Sequence, residues 1–233
     1  MKSLLAICLL CSACVFGQGR VNVTNDDINM QLGTFFQAVN GVPINTNSFY
    51  KVVEGSPFFK EHWMKGSASL GEDKEFHNLR LKVNLMDDKI HFMDAAGNEI
   101  ICSTPINRVK VTDSLTGKEH RFVHSSTIPN TPEIRSVWLE LVTDGKAQLY
   151  CHHKKNISET RPYGSATLEQ RILTSDLYYV RVGDRTVRIK KLSDIYPLLT
   201  GQEEAAQQWA KKNARDNAAG YAKLVEWYNA QFR

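Results

Sequence analysis

Between Phe49 and Lys190 apolar and polar residues alternate in short runs, with turn-forming residues between the runs. In "LRLKVNL", Leu79, Leu81, Val83 and Leu85 fall on one side of a pleated strand, and Arg80, Lys82 and Asn84 on the other. Asp87-Asp88 turns the chain into "KIHFMD", and "AAGN" turns it into "EIICS". "NRVKVT", the loop "DSLTGK" and "HRFVH" follow. The clearest hairpin joins "VWLELVT" to "KAQLYCHH" through Asp144-Gly145, and another joins "DLYYVRV" to "TVRIK" through Gly183-Asp184. This pattern predicts antiparallel meanders with one face packed and the other wet. Strands do not alternate with helices, so a parallel sheet is not expected.

After Lys191 the period changes from two to between three and four. Ala205, Ala206, Trp209 and Ala210 make one apolar stripe, and Tyr221, Leu224, Val225 and Tyr228 make a second. Thr200 and Glu203 are spaced as a capping box, and residues Asp216 to Gly220 divide the segment into two helices. Such stripes are expected to pack on the sheet. Near the N-terminus, "TNDDINMQLGTFFQAV" suggests a helix starting at Thr24 or Asn25 and stopped by Gly41-Val42-Pro43. The expected fold class is mainly β (α+β), an antiparallel meander sheet or sandwich with a C-terminal helical tail. The expected organisation is a signal peptide at 1–17, an N-terminal segment at 18–48, a β domain at 49–191 and helices at 192–233.

Composition adds compartment more than chemistry. A chain of 233 residues with 42% hydrophobic and 23% charged residues can bury a real core. The net charge of +4 is spread along the chain without a basic block, so nothing calls for nucleic acid. "MKSLLAICLLCSACVFG" has the form of a secretory leader, with cleavage expected after Gly17; the alternative is a lipoprotein box that would leave Cys14 as a lipidated anchor. The apolar run is shorter than a membrane span, and no later segment is long enough to span a bilayer as a helix. The mature protein is therefore expected to be periplasmic or secreted. Outside the leader only Cys102 and Cys151 remain, and an oxidising compartment would let them form a disulfide; two free thiols are the alternative.

An ordered string of motifs carries a resemblance. "EGSPFFKEHWMKGSASL", "LRLKVNLMDDKIHF", "PYGSAT", "YYVRVGDRTVRIKK" and "LVEWYN" resemble a set of exported Bacteroidota proteins over roughly residues 50 to 230. Those proteins share a Gly-Ser-Pro-aromatic start, a Tyr-Gly-Ser loop, a Tyr-Tyr strand and a helical tail ending in Tyr-Asn. This chain departs from them at Val83, where an aromatic is usual. The resemblance implies export, a β-plus-helical-tail layout and a bacterial source, and it assigns no catalytic residue.

Candidate chemistry is sparse. In "LYCHHKKN", Cys151 and His153 share one strand face and His152 takes the other, so the three cannot converge on one ion. His120 and His124 share a face but stand about 13 Å apart along an extended strand. Either pair could hold a metal only with ligands from elsewhere, and no metal set or cofactor is assigned from sequence. The stretch reads instead as a strand ending in a wet basic edge at His152, His153, Lys154 and Lys155. No nucleophile elbow, His-Glu-x-x-His or phosphate loop is present, and Asp87-Asp88 reads as a turn former. The longest expected loop, Lys154 to Gln170, contains "RPYGSAT". Arg161, Tyr163, Gly164 and Arg171 are its candidate binding residues; the alternative is that Tyr163 folds back as a cap over the sheet edge. The reading from sequence is a non-enzymatic exported protein that binds a protein or envelope component, with a periplasmic hydrolase-like enzyme as the alternative.

Overall fold

The computed structural model describes residues 42–43, 51–71, 74–102, 105–129, 134–161, 163 and 169–232. The expected signal peptide and the helix near Thr24 lie outside the described residues. The chain is mainly β, with one large sheet and a C-terminal helical pair, as the alternation predicts. The strands are β1 (Val42–Pro43), β2 (Lys51–Glu54), β3 (Met64–Leu70), β4 (Lys74–Asn84), β5 (Lys89–Met93) and β6 (Glu99–Ile101). They continue with β7 (Arg108–Thr112), β8 (Glu119–His124), β9 (Trp138–Thr143), β10 (Ala147–Thr160), β11 (Glu169–Val182) and β12 (Arg185–Ile189). Two helices close the chain, α1 (Glu203–Asn213) and α2 (Ala218–Ala230).

The strands lie in the order β1-β6-β5-β4-β3-β7-β8-β9-β10-β11-β12, and β2 runs parallel to the far end of β11. All other strand pairings among the described residues are antiparallel. One face of this sheet carries two apolar cores. Met64, Leu79, Leu81, Phe92, Val111 and Phe122 belong to the first, which reaches Trp138 at the start of β9. Asp88 in the β4–β5 turn touches the same point, accepting a hydrogen bond from the Trp138 N–H at 3.2 Å. Leu149, Val180 and Ile189 belong to the second core, where Ala206, Ala210, Tyr221, Leu224, Val225 and Tyr228 cover them. On the opposite face Val123, Leu139, Tyr150 and Tyr179 meet Ile128 and Ile134 from the β8–β9 connection.

The predicted helical stripes pack as expected except for Ala205, which is exposed. The capping box at Thr200 does not form. Helix α1 starts at Glu203 with Gln202 in the cap position, because 3-10 turns carry the chain through Tyr196–Leu198 before the helix begins. Asn217 caps α2 by accepting from the Gly220 N–H at 2.9 Å.

One side chain pins the helical tail to the sheet. Asn229 accepts from the Ala147 N–H at 2.8 Å and donates to the Ala147 carbonyl at 2.9 Å and the Asp144 carbonyl at 3.1 Å. Gly145 lies at φ +145°, and a Cβ there would come within 2.6 Å of the Asn229 amide. The glycine of this turn is thus required by the staple as much as by its backbone angle.

The bridge between Cys102 and Cys151 is not formed; both are thiols. Strands β6 and β10 do not pair, since β5, β4, β3, β7, β8 and β9 intervene in the sheet order. Cys102 packs on the first core, while Cys151 sits opposite Glu140 and Tyr178. The loop expected from Lys154 to Gln170 is also shorter than it reads. Strands β10 and β11 pair in unbroken register from Ala147↔Val182 to Thr160↔Glu169. Beyond His153 the β10 half of the hairpin leaves the cores and has no buried residue, although Gln170 and Ile172 of β11 are buried, so hydrophobic alternation does not mark β10 there.

Two predictions follow from these contacts. Asn229→Ala strands three backbone groups and is expected to cost about 2–3 kcal/mol in urea unfolding. Burial is the largest influence on the Asp88 carboxyl and pushes it up to about 6 from 3.8, aided by Asp87 and opposed by the Trp138 N–H. A raised carboxyl contributes stability below its unfolded value and loses it as pH climbs to the folded one. Relative to wild type, Asp88→Asn is therefore expected to gain stability between pH 4 and 6, levelling at about 1 kcal/mol after solvent screening. Equal pH profiles for the two proteins would contradict this.

Candidate functional site

The two apolar cores meet along a polar seam. Phe122, Glu140, Cys151 and Tyr178 stand opposite one another across β8, β9, β10 and β11. His120 approaches Glu140 from one side and His153 from the other. His120 Nδ1 donates to Glu140 Oε1 at 2.6 Å, and His153 Nε2 donates to Glu140 Oε2 at 2.7 Å. The other ring nitrogen of His153 donates to Asp176 Oδ1 at 2.7 Å. The Cys151 thiol lies 3.6 Å from that same Nδ1.

Ionised carboxylates only accept, so both nitrogens of His153 carry protons and the ring is a cation. Burial would depress its pKa, but contacts with Cys151, Glu140 and Asp176 outweigh it and raise it to about 10. Burial would likewise raise Glu140, and the two histidine hydrogen bonds hold it down at about 2. Phe59 covers the seam, with its ring centroid 4.8 Å from His120, 5.0 Å from Phe122 and 5.3 Å from His153. Tyr178 is pushed up by burial and by the neighbouring thiol, with which it is hydrogen-bonded.

Pleating places Cys151 and His153 on one face and His152 on the other, as the sequence predicts. His152 is not part of a wet edge. Burial, helped by the charges of Lys154 and His153, lowers its pKa to about 4. The strand does not end there either, because β10 runs on to Thr160. A thiol, an imidazole and a carboxylate together suggest nucleophilic catalysis, but Cys151 is only 2% exposed. A substrate carbonyl has no approach to that sulfur.

The opposite face of the same strands holds a groove of about 500 Å³. Arg108 and Lys110 from β7, Arg121 from β8 and Arg181 from β11 line it, with Glu75 and Asp144 as its carboxylates. Lys110 pairs with Glu119 at 2.8 Å and Arg121 with Asp144 at 3.3 Å. Arg181 reaches the Gly183 carbonyl at 2.8 Å and the Gln148 side chain at 3.4 Å. Among the described residues Arg108 has no carboxylate partner. Ser67, Ser69, Gln148 and Tyr150 add hydrogen-bonding groups, and Tyr150 donates to Gln148 at 2.8 Å.

The residues singled out from the sequence lie elsewhere, at the far end of the β10–β11 hairpin. Arg161 is exposed and Tyr163 stands fully in solvent, so Tyr163 does not fold back over the sheet edge. Arg171 lies 3.6 Å from Glu54 of β2. Gly164 lies outside the described residues. The sequence reading missed the groove and the seam because each gathers side chains from at least three strands. Only the sheet order brings them together.

No family model, curated protein or solved structure matches this chain.

The seam generates a stability test. Glu140 is 13% exposed and takes two charged hydrogen bonds, whereas Asp176 is 44% exposed and takes one. Glu140→Gln is expected to lower unfolding free energy by about 3 kcal/mol, and Asp176→Asn by less than about 1 kcal/mol. Denaturant titration of both variants checks the order.

Proposed function

We propose that the protein is an exported, non-enzymatic binding protein whose basic groove takes an anionic ligand. The observation that carries this reading is Arg108, a cation without a carboxylate partner among the described residues, set in a groove with three further basic side chains. The volume of about 500 Å³ is in the range of small-molecule sites. Hydroxyls on Ser67, Ser69 and Tyr150 beside the arginines suit a ligand with both charge and hydroxyl groups, such as a carboxylated or phosphorylated sugar. Export is supported by the leader-like N-terminus. The burial of Cys151 weighs against the hydrolytic alternative.

A second reading keeps a protein or envelope partner at the hairpin end. It is favoured by the full exposure of Tyr163 and by half-exposed Ile157 and Leu173 on the same arm. Aromatic and arginine side chains at Tyr163 and Arg161 are the types that anchor such contacts.

Calorimetry with glucuronate, a hexose phosphate and inorganic phosphate separates the two readings. One of these anions is expected to bind with single-site stoichiometry and to weaken with added salt. Arg108→Gln is expected to reduce affinity about tenfold or more, the loss of one charge-assisted contact. Binding that survives Arg108→Gln unchanged, or no binding of any of the three, would remove the groove from consideration. Pull-down from an envelope fraction, abolished by Tyr163→Ala, would then favour the hairpin.

A further inference from the structure

Three ligand-type atoms in the seam crowd around one proton. Cys151 Sγ is 3.6 Å from His153 Nδ1, and Asp176 Oδ1 is 2.7 Å from it. All three atoms lie within 4.8 Å of one another. We propose that Cys151, His153 and Asp176 form a three-ligand site for a thiophilic divalent cation, with Zn²⁺ the best match to the donors. This inference is independent of the anion groove, which lies on the other face of the sheet.

The spacing supports it. Zinc bound by sulfur at about 2.3 Å and nitrogen at about 2.0 Å in a tetrahedron separates those two atoms by about 3.5 Å. Sγ and Nδ1 already stand 3.6 Å apart. The carboxylate needs only to swing outward by roughly 0.6 Å to reach its own tetrahedral distance. Asp176 is half-exposed and free to make that adjustment. Thiolate, imidazole and carboxylate together are a donor set that suits zinc, whereas magnesium and calcium take all-oxygen shells.

A second observation points the same way. A metal-bound histidine usually donates its remaining N–H to a carboxylate, which fixes the ring and raises its basicity. His153 Nε2 already donates to Glu140 at 2.7 Å, and Glu140 is itself fixed by His120 at 2.6 Å. The ring is thus held in the orientation that directs Nδ1 toward the thiol and Asp176. On binding, the metal takes the place of the proton on Nδ1 and of the thiol proton. The two carboxylates and the new thiolate then face a doubly charged ion in place of one imidazolium.

Three protein ligands leave a fourth position for water or another small donor. Asp176 and Tyr178 border a cavity of about 390 Å³ between β11, β12 and α2. Lys190, Asn217 and Tyr221 also line it, so of the three ligands Asp176 is the one that borders open space there. The sequence contains Cys151 and His153 as a same-face pair, but the third ligand is on the next strand, where only the register His153↔Asp176 places it.

The test is a titration of the purified, chelator-treated and reduced protein with Co²⁺, followed by competition with Zn²⁺. A thiolate-to-cobalt charge-transfer band saturating at a single equivalent, and its displacement by Zn²⁺, is the expected result. Cys151→Ser is expected to abolish the band and Cys102→Ser to leave it. Glu140→Gln is expected to weaken binding by about 10–100-fold. Asp176→Asn alters a half-exposed side chain, so its fold is expected to persist while its affinity falls about tenfold or more. A folded wild-type protein that shows no thiolate band overturns the proposal. So does metal binding that persists in Cys151→Ser, or an affinity unchanged in Asp176→Asn.

Discussion

A single carboxylate, that of Glu140, is held between two imidazoles where water is nearly excluded, and the inner face of the sheet is arranged around it. Burying that charge is costly unless both oxygens are satisfied. His120 satisfies one from β8 and His153 the other from β10, so three adjacent strands must keep their register. On one side lies the core around Phe122, and on the other the core around Leu149 and the C-terminal helices. An apolar residue at position 140 would let the two cores merge. A charged and paired one divides them.

The same strands serve both faces by alternation. On β8, His120 and Phe122 face the seam while Arg121 and Val123 face the groove side. On β10, Cys151 and His153 face the seam while Gln148 and Tyr150 face the groove. A slip of one residue would exchange the two environments, on β8 placing Arg121 in the cores and His120 in the groove, and on β10 turning Tyr150 and His152 toward the seam. The bulge between Leu149 and Tyr150 is where the β9–β10 pairing adjusts, next to the turn that Asn229 fixes. The helical tail therefore bears on the register of the site-carrying strand as well as covering a core.

Much of the fold could be read from the sequence because burial there is one-sided. Leu79, Leu81 and Val83 alternate with Arg80 and Lys82, and the stripe at Tyr221, Leu224, Val225 and Tyr228 is buried throughout. The reading failed where one-sidedness fails. From Lys154 to Thr160 both faces of β10 are wet, so a strand looks like a loop. The sites were hidden for another reason. Pleating correctly separates His152 from Cys151 and His153, but it says nothing about the next strand. Glu140, Asp176 and His120 come from three other strands, and no spacing within one segment connects them. The cysteine pair misled in the same way: being the two cysteines outside the leader does not make the strands of Cys102 and Cys151 neighbours.

The unbroken pairing of β10 with β11 has a mechanical side. From the turn under Asn229 to the outermost pair Thr160↔Glu169 the ladder has no bulge, so it transmits bending as a continuous beam. His153 and Asp176 face each other where this beam emerges from the body of the molecule. A load applied at the tip is shared with β2, which pairs beside Glu169–Arg171, and what passes on along the ladder reaches the side chains that share a proton.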